Sequence, residues 1–251
     1  MDNKKEKGFE VCFLKEFVTA FKKSFCNTDE EKLKAHIKEK SIKAIEELNK
    51  IGNKLKVKKV YITVDNENTE LISIDIDRGM KYSKDHEIVF LQVSPTILRK
   101  DVFGGIECLF PNKENLLEVI KKIEEEEKKE EEEKVIKNLW EKNPFSIPIL
   151  CHEFGHLQDC QREGFKYTKE DEELHDCIDK VWNVFLDRRI SNLRNVNREK
   201  IENYFYRDAG KSRNCYEKLF KEMWDGYKED YSFWEIKNYA RKLKECEKPT
   251  I

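Results

Sequence analysis

Residues 151–157 read Cys-His-Glu-Phe-Gly-His-Leu and place two of the chain's five histidines four positions apart. On an α-helix, side chains four positions apart lie one turn apart on the same face. His152 and His156 can therefore reach one metal ion. Glu153 projects beside them, where its carboxylate can hold a zinc-bound water molecule and accept its proton. This His-Glu-x-x-His pattern predicts a zinc site on a helix.

A glycine inside the same predicted helix supports a special packing environment. Gly155 costs a helix interior about 1 kcal/mol relative to alanine. We therefore expect another part of the chain to approach the helix closely at this position. The helix should begin soon after Asn143-Pro144, because Ser146 is a suitable N-cap residue and Pro148 is tolerated in a first turn.

Catalytic zinc usually has three protein ligands and one open position. Candidates for the third ligand follow the motif, and they are Glu172, Glu173, His175, Asp176, Asp179 and Asp187. Asp187 has unusual neighbours in the run VWNVFLDRRIS, residues 181–191. Asn183 precedes it by four positions, and two arginines and an isoleucine follow it. This setting favours Asp187, although the residues alone leave the other candidates open.

Residues 150–192 resemble the zincin metallopeptidases. Within that group they are similar to metallopeptidase domains in which His-Glu-x-x-His is followed, on a later helix, by Asn-x-x-Glu-Asp-x-Arg-Ile. The matching residues are His152, Glu153, His156, Asn183, Asp187, Arg189 and Ile190. Leu186 stands where the family often has glutamate, which leaves Asp187 as the carboxylate in register.

The resemblance implies one Zn²⁺ ion per chain, bound by His152, His156 and Asp187, with Glu153 as the general base. The gluzincin spacing would instead select Asp176, which lies twenty residues after His156.

Further side chains could support such a site. Asp159 and Asn183 are candidates for orienting the imidazoles, because zinc-binding histidines usually donate their second ring nitrogen to a partner. The candidates for stabilising the oxyanion of the transition state are His175, Arg189, Tyr204, Tyr206 and Arg207, and the sequence does not choose among them.

The pattern of apolar residues predicts an α+β fold. Apolar residues alternate with a period of two over 60–64 and 72–76, and a third strand is predicted over 87–93. Helical spacing predicts helices elsewhere, including 8–25 and 29–52. We therefore expect a mostly helical α+β fold whose small, largely antiparallel sheet, with three strands or slightly more, precedes the motif helix. The resemblance to the zincins implies that this fold is zincin-like.

A single zincin-like domain, residues 1–251, is expected. Its predicted parts are N-terminal helices (1–55), a sheet (56–111), a long charged helix (112–142), the motif and third-ligand helices (143–195) and aromatic-rich C-terminal helices (196–251). The charged helix contains EEEEKKEEEEK over 124–134, whose opposite charges four positions apart favour a solvent-exposed helix.

The composition excludes several classes of function. Charged residues make up 40 % of the chain, but the net charge is only −2, so general nucleic-acid binding is not expected. No run of apolar residues is long enough for a membrane span, and the amino terminus shows no signal peptide. The eight cysteines contain no Cys-x-x-Cys pair. We therefore expect a cytoplasmic protein with mostly reduced thiols.

These observations together predict a zinc-dependent peptidase that hydrolyses a protein or peptide substrate by a metal-activated water, with no nucleic-acid or membrane partner. One alternative is a non-catalytic protein that keeps the zinc site for structure or binding. Another is a helical interaction or regulatory protein that retains the motif helix and uses residues 112–142. The sequence does not indicate an oligomeric state.

Overall fold

The structure is a computed structural model that describes residues 9–24, 30–64, 72–93, 147–191, 193, 198–207 and 209–247. The strands within these residues are β1 (Glu10–Phe13), β2 (Lys59–Val64), β3 (Ile72–Ile74) and β4 (Ile88–Val93). The α-helices are α1 (Lys15–Ser24), α2 (Glu30–Leu48), α3 (Ile76–Tyr82), α4 (Ile147–Cys160), α5 (His175–Ile190), α6 (Arg198–Phe205), α7 (Arg213–Asp225) and α8 (Phe233–Cys246). Short 3₁₀ helices span Lys169–Leu174 and Gly210–Ser212.

The four strands form one mixed sheet in the order β1-β2-β4-β3. β2 pairs in parallel with both β1 and β4, whereas β3 pairs antiparallel with β4. The α+β class is confirmed, but the expectation of a largely antiparallel sheet is wrong. The reason is that β4 lies between β2 and β3. A parallel return needs a long crossover, and the segment from β2 to β4, which includes β3 and α3, supplies it.

Two elements near the sheet differ from the sequence prediction. The helix predicted over 8–25 is wrong at its start, because Glu10–Phe13 pairs with β2 as a strand and α1 begins only at Lys15. The N-terminal part is therefore not purely helical. Helix α3 was not predicted, and its N-cap is Asp75, whose side chain accepts a hydrogen bond from the Arg78 backbone N–H.

The chain divides into two compact units. The first takes its described residues from 1–46 and 56–153, and it contains the sheet. Val60 and Ile62 pair with Val89 and Leu91, so these four buried side chains share one face of the sheet.

The second unit takes its described residues from 47–55 and 154–251. Its core is rich in aromatic side chains and includes the fully buried Phe154, Phe205, Tyr216, Phe220 and Tyr231. A disulfide between Cys215 and Cys246 joins α7 to α8. The expectation of one zincin-like domain stays a prediction.

Two further expectations concern the remaining segments. The long charged helix over 112–142 lies outside the described residues. Among the helices that are described, none is both long enough and apolar enough to cross a membrane.

Candidate functional site

The motif lies in the middle of α4, which confirms the predicted helix. His152 and His156 are half-buried one turn apart, and Glu153 is only 5 % exposed. The apolar residues between and around them hold the helix in place, because Cys151 and Phe154 are fully buried. The sequence thus builds a buried apolar stripe and a pair of imidazoles on the same helix.

Gly155 is closely approached, as its cost in a helix predicted. A Cβ atom at this position would lie 2.4 Å from Leu186 Cδ1 on α5, far inside van der Waals contact. Leu186 is fully buried and so cannot swing into solvent. An apolar side chain therefore fills the space against the backbone of α4.

Asp159 is a fully buried carboxylate with several hydrogen-bond donors. Its Oδ2 accepts from Trp182 Nε1 at 2.9 Å and from the Tyr231 hydroxyl at 2.6 Å. Its Oδ1 accepts from Arg189 Nη1 at 2.5 Å and from Arg162 Nη1 at 3.3 Å. Both oxygens are therefore engaged, as a buried carboxylate requires. The prediction that Asp159 orients an imidazole directly stays a prediction.

Arg189 connects this carboxylate to the motif helix. Its Nη2 donates to the Gly155 carbonyl oxygen at 3.1 Å, and its side chain is 3 % exposed. Burial by itself would lower the pKa of Arg189, but its interactions with Tyr231 and with the negative charge of Asp159 hold this pKa above its ordinary value. Burial and the charge of Asp159 together raise the pKa of Tyr231 well above its ordinary value. The network therefore keeps a charged arginine and a neutral tyrosine around one carboxylate.

Trp182 is the residue of this network whose ring contacts His156. Its ring centroid lies 4.4 Å from that of His156, with the ring planes at 88°. The sequence-based prediction did not single out Trp182, although it lies in the run 181–191. The available signal was that a buried indole N–H needs an acceptor, and Asp159 is a carboxylate on the motif helix.

The candidates for a third ligand lie on α5 and on the 3₁₀ helix before it. The side chain of Asp176 is fully exposed and lies 3.7 Å from His175 Nδ1. Asp179 Oδ1 accepts a hydrogen bond from the Tyr167 hydroxyl at 2.5 Å, and its Oδ2 lies 3.3 Å from His175 Nδ1. Glu172 and Glu173 are exposed. His175, Asp176 and Asp179 thus form a polar cluster at the start of α5.

Asn183 and Asp187 are half-buried on α5. Trp182, Leu186 and Arg189 form the face of α5 that contacts α4. Because successive residues of a helix are rotated by about 100°, Asn183 lies at the side of that face and Asp187 lies about 130° from its centre. That Asn183 orients an imidazole and that Asp187 is the third ligand both stay predictions.

The two imidazoles fit a zinc ion in donor chemistry and in spacing. Across the part of the chain that the structure describes, however, no group of three or more His, Cys, Asp and Glu side chains is arranged to hold a metal ion. A complete ligand set is thus not assembled there. The chain matches no protein-family model, no curated protein and no solved structure. The functional interpretation therefore depends on the motif helix itself.

Proposed function

We propose that the protein is a zinc-dependent peptidase. The observation that carries this proposal is that His152, Glu153 and His156 lie within the single helix α4, with the imidazoles one turn apart. His152 and His156 would bind one zinc ion per chain, together with Asp187. When bound, the ion supplies a Lewis acid that activates water and polarises the scissile carbonyl.

Glu153 is the proposed general base. Its carboxylate would accept the proton of the attacking water and deliver it to the leaving nitrogen of the peptide. Its near-complete burial supports this role, because a carboxylate shielded from bulk water would interact more strongly with a single bound water molecule.

Arg189 and His175 are two of the candidates for oxyanion stabilisation, and their contacts can be compared. Arg189 donates hydrogen bonds to Asp159 and Gly155 of α4, so its guanidinium is better placed to hold α5 against α4 than to bind an oxyanion. His175 is exposed beside Asp179, which supports a role at the edge of the site at most. The proposed substrate is a protein or peptide in the cytoplasm.

The lack of an assembled three-ligand group among the described residues favours one alternative. In this alternative the protein is a non-catalytic interaction or regulatory protein that retains the motif helix. It predicts protein binding without hydrolysis and without stoichiometric zinc.

The proposal is tested by Glu153→Gln, assayed on a fluorogenic peptide library with zinc content measured in parallel. Loss of the general base should lower hydrolysis by about a hundredfold or more while zinc stays bound. The control is Glu163→Gln, because Glu163 is exposed just after α4. Hydrolysis that survives in the Glu153 variant would refute the mechanism. Zinc retained after Asp187→Ala would transfer the third-ligand assignment to Asp176.

A further inference from the structure

We propose that Trp182 is a positioning residue for His156, and that it presents the imidazole to the metal in one fixed orientation. This inference rests on the proposed function, because it concerns the same metal pair. The rings of Trp182 and His156 are in contact, with their centroids 4.4 Å apart and their planes perpendicular. A perpendicular contact between two rings restricts rotation of the smaller ring about its Cβ–Cγ bond.

The indole can hold the imidazole only if the indole is itself fixed. Its Nε1–H donates to Asp159 Oδ2 at 2.9 Å, which sets the direction of the ring plane. Phe165, Tyr167 and Phe233 pack around the same indole, with centroids 5.1, 6.4 and 6.3 Å away. Trp182 is only 3 % exposed, so no solvent-filled space lets it turn.

Asp159 is fixed in turn by groups from other elements. Arg189 on α5 and Tyr231, which lies just before the N-cap residue of α8, both donate to it. Arg189 also donates to the carbonyl oxygen of Gly155, the residue immediately before His156. The network therefore contacts the backbone carbonyl of Gly155 and the side chain of His156, which lie in the same turn of α4.

The physical consequence concerns the cost of ordering a ligand. A free histidine ring must lose rotational freedom when it binds a metal, and that loss weakens binding. A ring already packed in its binding orientation avoids this cost. Groups that orient metal-binding histidines typically change metal affinity by about 10- to 100-fold. Loss of the Trp182 contact should therefore weaken metal binding without removing either imidazole.

The test is a titration of the full-length, metal-free protein with Co²⁺, followed by the visible absorption of the bound ion. Trp182→Leu removes both the ring contact and the N–H donor, and its affinity for Co²⁺ should fall about tenfold or more. Trp182→Phe keeps an aromatic ring and should bind with intermediate affinity. Phe220→Leu is the matched control, because Phe220 is a fully buried aromatic of the same unit whose ring neighbours are Phe205, Tyr206 and Trp224.

A second readout needs no metal. In proton NMR of the metal-free protein, the indole Nε1–H of Trp182 should exchange slowly, and the His156 ring protons should carry a ring-current shift that Trp182→Phe changes. Both signals should survive Phe220→Leu. These measurements test the positioning contact even if a variant is less stable, since they are made below its unfolding temperature.

The outcomes separate the two proposals. Parent protein that binds Co²⁺, together with Trp182 variants that bind it equally well, would overturn the positioning role and leave the metal site intact. Equal losses in the Trp182→Leu and Phe220→Leu variants would also overturn it, because the loss would then follow stability. Parent protein that binds no Co²⁺ would overturn the proposed function and this inference with it.

Discussion

Arg189 and Asp159 form an ion pair with both side chains buried, and Nη1 of the arginine lies 2.5 Å from Oδ1 of the aspartate. The same guanidinium donates to the Gly155 carbonyl of the motif helix. A pair of this kind specifies how two helices meet, because each charge is strongly unfavourable in a buried position without the other. It thereby fixes α5 against the turn of α4 that carries His156.

Removal of the carboxylate charge should destabilise the fold strongly. Asp159→Asn leaves Arg189 buried without its counter-ion, and we expect the free energy of unfolding to fall by about 3–5 kcal/mol. Urea denaturation followed by circular dichroism measures this value. Asp176→Asn is the control, because that side chain is fully exposed and should change stability very little. A loss similar to the control's would show that the pair does not hold the helices together.

Gly155 and Leu186 should be coupled in stability. Gly155→Ala places a methyl group 2.4 Å from Leu186 Cδ1 and should cost about 1–3 kcal/mol despite the better helix propensity of alanine. Leu186→Ala should cost about 2–5 kcal/mol by opening a cavity. The double variant should be more stable than the sum of the two losses predicts, because the new methyl group fills part of that cavity. Strict additivity in thermal or urea unfolding would contradict the contact.

Stability should fall at alkaline pH because of Tyr227. Burial, above all, and the charges of Asp159 and Glu229 raise the pKa of Tyr227 to about 12, from an ordinary value of 10.0. Below pH 10 both the folded and the unfolded chain keep the proton. Between pH 10 and about 12 only the unfolded chain loses it, so the free energy of unfolding decreases as the pH rises.

The variant that isolates this effect is Tyr227→Phe. The Tyr227 hydroxyl is buried and has no hydrogen-bond partner among the described residues, so its removal should change stability at pH 7 by less than about 1 kcal/mol. The decline between pH 10 and 12 should become smaller. Tyr82→Phe, at an exposed side chain, is the control. An unchanged alkaline decline in the Tyr227 variant would assign the effect to other groups.

The sequence predicts best those features that depend on neighbours along the chain. The spacing of His152 and His156 predicts the helix and their shared face, and the cost of Gly155 predicts a close approach. The sequence could not name Leu186 as the approaching residue, because that contact joins two helices that are far apart along the chain.

Features that depend on distant pairing were predicted less well. Glu10–Phe13 is too short to show an alternating pattern, so its apolar residues merged with those of α1. The sequence predicts a largely antiparallel sheet, but β4 rather than β3 lies beside β2, because a strand's partner is chosen by the whole sheet. Trp182 was missed for the same reason, because its acceptor Asp159 lies on another helix.

The central claim is that the motif helix binds zinc, and elemental analysis of tag-free protein purified without added metal tests it most directly. The account predicts about one zinc ion per chain, lost on His156→Ala and on His152→Ala. The control is His86→Asn, because the φ of 53° at this position lies in the left-handed region that asparagine tolerates. Protein that holds no zinc even after reconstitution, or that loses zinc equally in the His86 control, would contradict the claim.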